Sequence, residues 1–304
     1  MNATVPKIWA IGGGKGGVGK STLSLILAFW LARAGKKTIL MDVDLGGANV
    51  HTLMGITTPV RTLNDYLKRR YDTLEEICID TEVENLRIIC GAGDVLSLAN
   101  PHVAQKTKIM QNIYKLNADY AILDLGAGTS FNVLDFFNMA DKKIVVLTPQ
   151  PISIQNAYAF VRNAVYRKLS LLASKLPVLQ SLIKTTMDIN NELRLKTVRD
   201  LLLAIEDSQG AEVHKSLQQE IEHIQPDVIT NMAVHPQDQE AGKIIQRVAE
   251  KYLMIHPIDR GAIVYDRQLY NLVSEMAPIT RLFQSSQAFA HGYDIAMKLM
   301  AEQN

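Results

Sequence analysis

The stretch that decides the fold is residues 7–34, KIWAIGGGKGGVGKSTLSLILAFWLARA. Its first part, residues 7–11, is a short aliphatic run typical of a buried strand. Residues 22–34 form a longer apolar stretch that is closed by Gly35, which predicts a helix. A glycine-rich loop joins the two. Strand, loop and helix are the repeating parts of a parallel sheet, so we expect an α/β fold.

Similar aliphatic runs recur along the chain and predict further strands. Most of them lack alternation of apolar and polar residues, which is typical of strands covered on both faces of a parallel sheet. The runs lie at 37–42, 86–90, 119–124, 143–148, 227–231 and 252–256. Helical stretches such as 103–116 separate them. The sequence therefore predicts a doubly wound, mostly parallel sheet of about seven or eight strands with helices on both faces.

The connection between residues 148 and 227 is much longer than the roughly dozen residues that a crossover needs. Two sets of apolar residues recur there at helical spacing, with Gly210 between them: Leu195, Val198, Leu202 and Ile205, then Val213, Leu217, Ile221 and Ile224. We therefore expect a single domain over residues 1–304 with a helical insert at about 165–225. The apolar stripes fit either an added layer packed on the sheet or a docking surface for a partner.

Composition excludes several classes of protein. The 304 residues can bury a large core without disulfides, and the only cysteines, Cys78 and Cys90, form no C-x-x-C motif, which argues against a zinc site or a cysteine-ligated iron–sulfur cluster within one chain. Lys and Arg total 32 against 31 Asp and Glu, so no global basic field exists to hold nucleic acid or an anionic membrane. With no visible signal peptide and no apolar run long enough to span a bilayer, we expect a cytoplasmic protein.

Within the opening stretch, Gly14-x4-Gly19-Lys20-Ser21 fits the P-loop pattern that cradles nucleotide phosphates. Glycines let backbone N–H groups converge on the phosphates, and the following helix presents its positive end to them. Lys20 should reach the β- and γ-phosphates, and the Ser21 hydroxyl should ligate Mg²⁺. The residues predicted to bind nucleotide in this loop are Gly14, Lys15, Gly16, Gly17, Val18, Gly19, Lys20, Ser21 and Thr22.

The longer string KGGVGKS, residues 15–21, resembles the signature of the MinD/ParA family of P-loop ATPases, and the resemblance runs from about Lys7 to Met300. In that family the first lysine reaches the nucleotide of the partner subunit. The resemblance therefore implies that Lys15 couples ATP binding to face-to-face dimerisation. It also implies ATP and Mg²⁺ as ligands and slow, partner-stimulated hydrolysis.

An ATPase of this type needs carboxylates at the carboxyl ends of strands beside the P-loop strand. Asp42 ends one predicted strand, with Asp44 close behind it, and Asp124 ends another. By resemblance, Asp44 orients the attacking water, Asp42 and Asp124 lie near the metal, and Asn49 and Gly128 close the two switch segments of the family. An acidic residue at a strand end is otherwise commonly a helix cap or a turn former.

Two later segments complete the nucleotide pocket by resemblance. Asn231 ends a predicted strand where family members place an asparagine that pairs with adenine. Pro257 and Asp259, in IHPIDR, resemble the family's turn that flanks the base. The alternative for the second segment is an ordinary Pro-Asp loop after a strand.

The stretch 124–161, DLGAGTSFNVLDFFNMADKKIVVLTPQPISIQNAYAFV, looks most like the FlhG/FleN flagellar-number regulators within the family. This implies a switch that controls the placement or number of a cellular structure, such as a flagellum, a cell pole or a division site, through a protein partner or activator. One alternative is a ParA-like partition ATPase that binds DNA non-specifically, which needs a basic patch. The candidate clusters are Arg61, Lys68, Arg69 and Arg70, and Arg162, Arg167 and Lys168. Such clusters are more often solvated faces, so DNA is not the expected partner; an iron–sulfur carrier is disfavoured by the missing C-x-x-C.

The last predicted helix places Phe289, Tyr293, Ala296 and Met300 on one face. A helix that lies on a membrane surface needs a polar face rich in Lys and Arg, whereas here Lys298 is balanced by Glu302. We therefore expect this helix to pack on the core. Weak or transient contact with the inner face of the cell membrane is the alternative.

Overall fold

The computed structural model describes residues 5–44, 47–91, 103–188 and 195–302. Its strands are β1 (Lys7–Gly12), β2 (Thr38–Asp42), β3 (Ile79–Asp80), β4 (Leu86–Ile89), β5 (Tyr120–Asp124), β6 (Lys142–Leu147), β7 (Asp227–Ala233) and β8 (Ile258–Val264). They form one sheet in the order β3-β4-β2-β5-β1-β6-β7-β8. Every neighbouring pair is parallel except β3 and β4 at one edge, so the predicted mostly parallel sheet is confirmed.

The helices are α1 (Lys20–Arg33), α2 (Val50–Leu53), α3 (Leu63–Leu67), α4 (Val103–Ile113), α5 (Phe131–Met139), α6 (Pro151–Leu172), α7 (Pro177–Met187), α8 (Val198–Gln209), α9 (Ala211–Glu222), α10 (Glu240–Leu253), α11 (Arg267–Ser274) and α12 (Gln287–Ala301). Alternate residues of β1 enter different cores: Ile8 belongs to the core that contains residues of α5, α6 and α10, and Trp9 belongs to the core that contains residues of α1 and α12. Because both faces of the central strands are covered, those strands are apolar throughout.

The predicted strand at 252–256 is wrong. Helix α10 runs to Leu253, whose buried side chain continues the apolar stripe of Ile245 and Ala249. The strand begins later, at Ile258, in the more polar sequence IDRGAIV. An edge strand tolerates such residues because one of its sides has no neighbour, and here Arg260 Nε pairs with Asp227 Oδ1 at 2.5 Å.

Helices α7, α8 and α9 lie between β6 and β7, where the sequence predicted a helical insert. The buried face of α8 differs slightly from the predicted one: Val198, Leu201, Leu202 and Ile205 are buried, whereas Leu195 precedes the helix. These side chains join the same core as Val228 of β7. We propose on this ground that residues 1–304 form one domain with an insert at about 165–225.

The last helix, α12, packs against α1. Phe289 and Ala296 are buried as predicted, but Tyr293 is 46% exposed, because the buried face is centred on Gly292, Ile295 and Leu299. Just beyond the helix, Glu302 is held by Lys142 Nζ at 2.9 Å and by Arg260. Within the described ranges, no helix combines the length and the apolar character that crossing a bilayer requires.

The packing of α12 can be tested with two phenylalanines of opposite exposure. Phe289 has no exposed surface and contacts Phe29 edge-on at a centroid distance of 5.4 Å, whereas Phe131 is 67% exposed. We expect Phe289→Ala to lower the free energy of unfolding by about 3–5 kcal/mol, because it leaves a cavity in the core. Phe131→Ala should cost about 1 kcal/mol or less. Urea unfolding followed by circular dichroism measures both, and equal losses would contradict a core-packed α12.

Candidate functional site

The phosphate loop joins β1 to α1, and a side chain of β7 holds it in place through a hydrogen bond. Gly19 has φ 88°, and a Cβ at this position would collide with the side chain of Asn231. The side-chain amide of Asn231 donates a hydrogen bond of 2.9 Å to the Val18 carbonyl. Only glycine fits this position, because the left-handed backbone and the close approach of Asn231 both exclude a side chain.

Lys20 is buried under the loop, and its Nζ donates to the Lys15 carbonyl at 3.4 Å. Burial lowers the pKa of the Lys20 ammonium, and the negative charges of Asp124 and Asp44 partly oppose that shift. The charge therefore sits in a poorly solvated place among carboxylates, at the start of α1 where phosphate oxygens are favoured.

Lys15 has a different environment from Lys20, although both belong to the same loop. Its side chain is exposed, as are Gly16 and Gly17 beside it. An exposed lysine on the rim of the loop is free to reach away from its own chain, whereas Lys20 is confined beneath it. The two lysines are thus distinguished by burial as well as by sequence position.

Asp42 and Asp124 lie side by side, because they are paired across the parallel strands β2 and β5. Asp42 is fully buried and accepts backbone hydrogen bonds from Asp44 at 3.1 Å, Asn49 at 2.9 Å and Val50 at 3.1 Å. Burial, followed by the charge of Asp124, raises the pKa of Asp42 to about 8. Part of its role is structural, since it holds the start of α2.

Asp124 is also buried, and burial raises its pKa to about 6 although the Ser21 and Ser24 hydroxyls contact it. Ser24 Oγ lies 2.9 Å from the Lys20 carbonyl and 3.0 Å from Asp124 Oδ1. A serine hydroxyl has one hydrogen, so Ser24 cannot donate fully to both oxygens at once, and its support of an ionised Asp124 is incomplete. The pair is thus short of positive charge at neutral pH.

Asp44 lies at the mouth of the cavity. Its Oδ1 is 3.0 Å from the Cβ position of Gly126, and its Oδ2 is 3.4 Å from that of Gly47. The Asn49 side chain closes this turn by donating to the Gly47 carbonyl at 2.6 Å. Asp44 therefore lies between the segments that follow β2 and β5. Residues 45 and 46 of the first segment lie outside the described residues.

The cavity in front of these groups has a volume of about 400 Å³. It is lined by residues of the phosphate loop and the start of α1, of the segments after β2 and β5, of α2, and of the end of α11 and the turn after it. They are Gly16, Gly17, Gly19, Lys20, Ser21, Thr22, Asp44, Gly47, Asn49, Thr52, Leu53, Leu125, Ala127, Val273 and Met276. The donors fit Mg²⁺, which prefers a hydroxyl, one or two carboxylates and phosphate oxygens. The buried pair Asp42 and Asp124 also lacks the second positive charge that such an ion would add.

The prediction that Pro257 and Asp259 flank the base is wrong for this structure. Asp259 is paired with Val228 near the beginning of β7, whereas Asn231 lies three residues further along that strand toward the phosphate loop. In parallel strands the amino ends share one edge of the sheet, so Pro257 and Asp259 lie at the edge opposite the phosphates. The Asp259 carboxylate instead faces Gly242 of α10.

The residues that do accompany Asn231 were not predicted from the sequence. Together with Asn231 they line an apolar cavity that also includes Thr22, Leu23, Ile26 and Ala288. The residues that were not predicted are Met232, Ile263, Val264, Tyr265, Asp266, Leu269, Tyr270 and Val273. Asp266 caps α11 by accepting hydrogen bonds from the Gln268 and Leu269 amides. The dipeptide Tyr265-Asp266 directly follows the aliphatic end of β8 and could have indicated these residues. It was not recognised because the last strand was predicted too early in the sequence.

The basic clusters are largely engaged in contacts within the chain. Arg70 pairs with Asp65 at 2.7 Å and Arg61 donates to the Glu76 carbonyl at 2.7 Å. In the second cluster Arg167 pairs with Asp135 at 2.7 Å and Lys168 with Glu220 at 3.0 Å. These partners reduce the positive field that either cluster offers to an external polyanion.

The carboxylate pair gives a pH-dependent stability in metal-free protein. Folding raises the pKa of Asp124 from 3.8 to about 6 and that of Asp42 from 3.8 to about 8, so the folded state loses stability as pH rises from the unfolded value toward each folded value. We expect Asp124→Asn to flatten the fall in Tm between pH 5 and 8.5 and to melt above the parent at pH 8.5. A relief of about 1 kcal/mol corresponds to about 2–4 °C for a chain of this size.

Scanning calorimetry with a chelator measures this difference, and Asp72→Asn, at an exposed carboxylate, is the matched control. The control should follow the parent at each pH. A variant curve parallel to the parent curve would show that Asp124 does not carry the effect.

Comparisons with known proteins identify the family and the relatives of this chain. The ParA family model, described as an NUBPL iron-transfer P-loop NTPase, matches residues 4–172. The antiactivator FleN of Pseudomonas aeruginosa is 34% identical over 158 residues, which cover 51% of this chain and 55% of FleN. The flagellum site-determining protein YlxH of Helicobacter pylori is 34% identical over 159 residues, covering 51% of this chain and 53% of YlxH.

The matching region thus spans about half the length of these curated relatives. Among solved structures, the septum site-determining protein MinD of Pyrococcus horikoshii OT3, complexed with Mg-ADP, superposes with a TM-score of 0.64 at 17% identity and covers 98% of both chains. That similarity shows a shared fold. Together with the family match over more than half of the sequence, it shows that the chain belongs to the ParA/MinD family of P-loop NTPases.

Proposed function

We propose that this chain is an ATP-binding and ATP-hydrolysing switch that dimerises with ATP and controls the placement or number of a cellular structure through protein partners. The observation that carries the proposal is the contrast between two lysines of one loop: Lys20 is buried beside Asp44 and Asp124, and Lys15 is exposed at the rim. A P-loop needs only the first. The name of YlxH, a flagellum site-determining protein, supports a role in flagellar placement, and the name of FleN, an antiactivator, supports action through a protein partner.

The phosphates and Mg²⁺ would be bound by different residues of the loop and the neighbouring strands. The loop amides from Gly14 to Gly19 and the amino end of α1 would hold the phosphates, and Lys20 would offset the charge that develops on them. Ser21 would hold Mg²⁺ with Asp42 and Asp124 close by, and the bound ion would neutralise phosphate charge. This arrangement explains why the carboxylate pair is kept buried despite its raised pKa values.

Asp44 is the residue proposed to orient the attacking water. It is partly exposed at the cavity mouth, between Gly47 and Gly126, and therefore can accept a hydrogen bond from a water molecule. Lys15 is proposed to reach the nucleotide of a second copy, which would complete each site only in the dimer. Hydrolysis would then occur only in the assembled dimer.

Adenine is the proposed base. Asn231 lies beside the apolar cavity that begins at Thr22, and an amide can pair with the amino–imine edge of adenine. One amide hydrogen is already engaged with the Val18 carbonyl, so the remaining hydrogen and the side-chain oxygen are the groups proposed to read the base. Recognition of the base and positioning of the phosphate loop would then depend on the same side chain.

We propose a cytoplasmic protein, with any contact to the inner face of the cell membrane transient, because α12 is packed on α1 and fastened at Glu302. Iron transfer, which the family description names, has weaker support. Burial raises the pKa of both Cys78 and Cys90 to about 12, so the two thiols are protonated at neutral pH and poor metal ligands.

The two lysines give the decisive test of the switch. Lys20→Ala removes a charge-assisted contact worth about 1.5–3 kcal/mol, so ATP binding should weaken by roughly ten- to a hundredfold and turnover should be lost. Lys15→Ala should keep ATP binding by the monomer near normal but lose the ATP-dependent dimer and hydrolysis. Asp44→Ala should bind ATP and accumulate as the dimer, because only water positioning is removed.

Light scattering with ADP and with ATP measures the dimer, and phosphate release measures turnover. Lys36→Ala, at a lysine just after α1 and outside the cavity lining, is the control for loss of a positive charge. If Lys15→Ala dimerises and hydrolyses ATP like the parent, the chain is an ordinary P-loop ATPase and the proposed dimer mechanism fails.

The DNA-binding alternative predicts tight, salt-sensitive retardation of long duplex DNA by the ATP-bound protein. We expect weak binding instead, because the net charge is +1 and the basic clusters contain ion pairs. An electrophoretic mobility assay at low and moderate salt distinguishes the two. Retardation that disappears in an Arg69→Ala, Arg70→Ala double variant would favour the partition ATPase.

A further inference from the structure

A groove between α5, α6 and α7 shares no lining residue with the phosphate cavity. Its volume is about 580 Å³, and its walls include Phe131, Leu134, Tyr166, Leu171 and Met187. Phe131 is 67% exposed, and Leu171 and Met187 are each 45% exposed. Large apolar side chains gathered around a concavity on a surface mark a place where a partner binds.

The groove also has a definite charge. Its lining includes Arg167 and Lys184, and no carboxylate belongs to the lining within the described part of the chain. Beneath it, the single carboxylate of Asp135 is shared between Arg167, at 2.7 Å and 2.9 Å, and the buried Lys106. Two cations on one anion leave a net positive charge, so an occupant with a carboxylate is favoured.

Both walls of the groove are connected to the phosphate site. Phe131 begins α5 only a few residues after Asp124, in the segment that carries Gly126. Helix α6 reaches the phosphate loop at its other end, where the Asn156 carbonyl lies so close to Gly14 that no side chain fits between them. A change in either segment with nucleotide would therefore move a wall of the groove.

We propose that this groove binds an amphipathic acidic segment of a protein partner. Apolar side chains of the segment would fill the space between Phe131, Leu171 and Met187, and a flanking Asp or Glu would pair with Lys184 or Arg167. This proposal rests on the proposed function, because it names the surface through which such a switch would act on its partner. A concave surface suits a peptide better than a flat anionic membrane does.

The test is selection of short random peptides displayed on phage against the full-length, nucleotide-free protein. Enriched peptides are labelled, and fluorescence anisotropy measures their affinity for parent and variants. We expect acidic, amphipathic peptides whose Kd rises about tenfold with Lys184→Glu and about fivefold with Leu171→Ala. Lys215→Glu on α9 and Leu203→Ala on α8, both at exposed positions, are matched controls and should change the Kd by no more than about twofold.

Enrichment of basic peptides, no enrichment, or affinities that the groove variants do not change would overturn the proposal. So would two other results: loss of sedimentation with phosphatidylglycerol vesicles in Lys184→Glu, which would make the groove a membrane site, or loss of the ATP-dependent dimer in that variant, which would make it a contact between copies. Because the selection uses no nucleotide, failure of the ATP switch alone would leave the peptide binding intact.

Discussion

The arrangement depends on two carboxylates, Asp42 and Asp124, that the parallel pairing of β2 and β5 forces side by side in the interior. Both are buried, burial raises the pKa of each, and the charge of Asp124 further raises the pKa of Asp42. The cation that the structure places near them is Lys20, whose own charge is disfavoured by burial. A buried site with two anions and one weakened cation is stabilised by a proton or by a further cation, which is the physical basis of the proposed binding of nucleotide and metal.

The parts around this centre are mechanically linked. Asn231 of β7 holds the phosphate loop through the Val18 carbonyl, α6 touches the loop at Gly14, and Asp42 fixes the start of α2 through its backbone contacts. A ligand that changes the charge of the centre therefore acts on three neighbouring elements. This is the kind of connection that a switch requires, because a local change in charge is transmitted through packed segments with little freedom to absorb it.

Much of the fold and the centre of the site could be predicted from the sequence. The glycine-rich loop between an aliphatic run and an apolar helix has few structural solutions, and Asp42 and Asp124 each end a buried strand, so parallel pairing brings them together. These signals are local and strong. They located Lys20, Ser21, Asp42, Asp44 and Asp124 around one cavity or directly beneath it.

The errors concern the edge of the sheet. The apolar run 252–256 resembles a buried strand, but its first residues complete the buried stripe of α10. The true strand β8 contains Asp259 and Arg260, and Arg260 is neutralised by Asp227 and Glu302, residues distant in sequence. The resemblance of IHPIDR to the family's turn placed Pro257 and Asp259 near the base, and the misplaced strand left Tyr265 unassigned. Ion pairs between residues distant in sequence leave no local pattern, so the position of β8 could not be predicted from the sequence.

The most direct test of the central claim is the number of protons released when Mg²⁺ and ATP bind. Calorimetric titration at pH 7 in two buffers of different ionisation enthalpy measures it. If the raised pKa values of Asp42 and Asp124 arise from a site that lacks a cation, binding should release about one proton per site. Binding with no net proton release would contradict the account, because the carboxylates would then already be ionised without the metal.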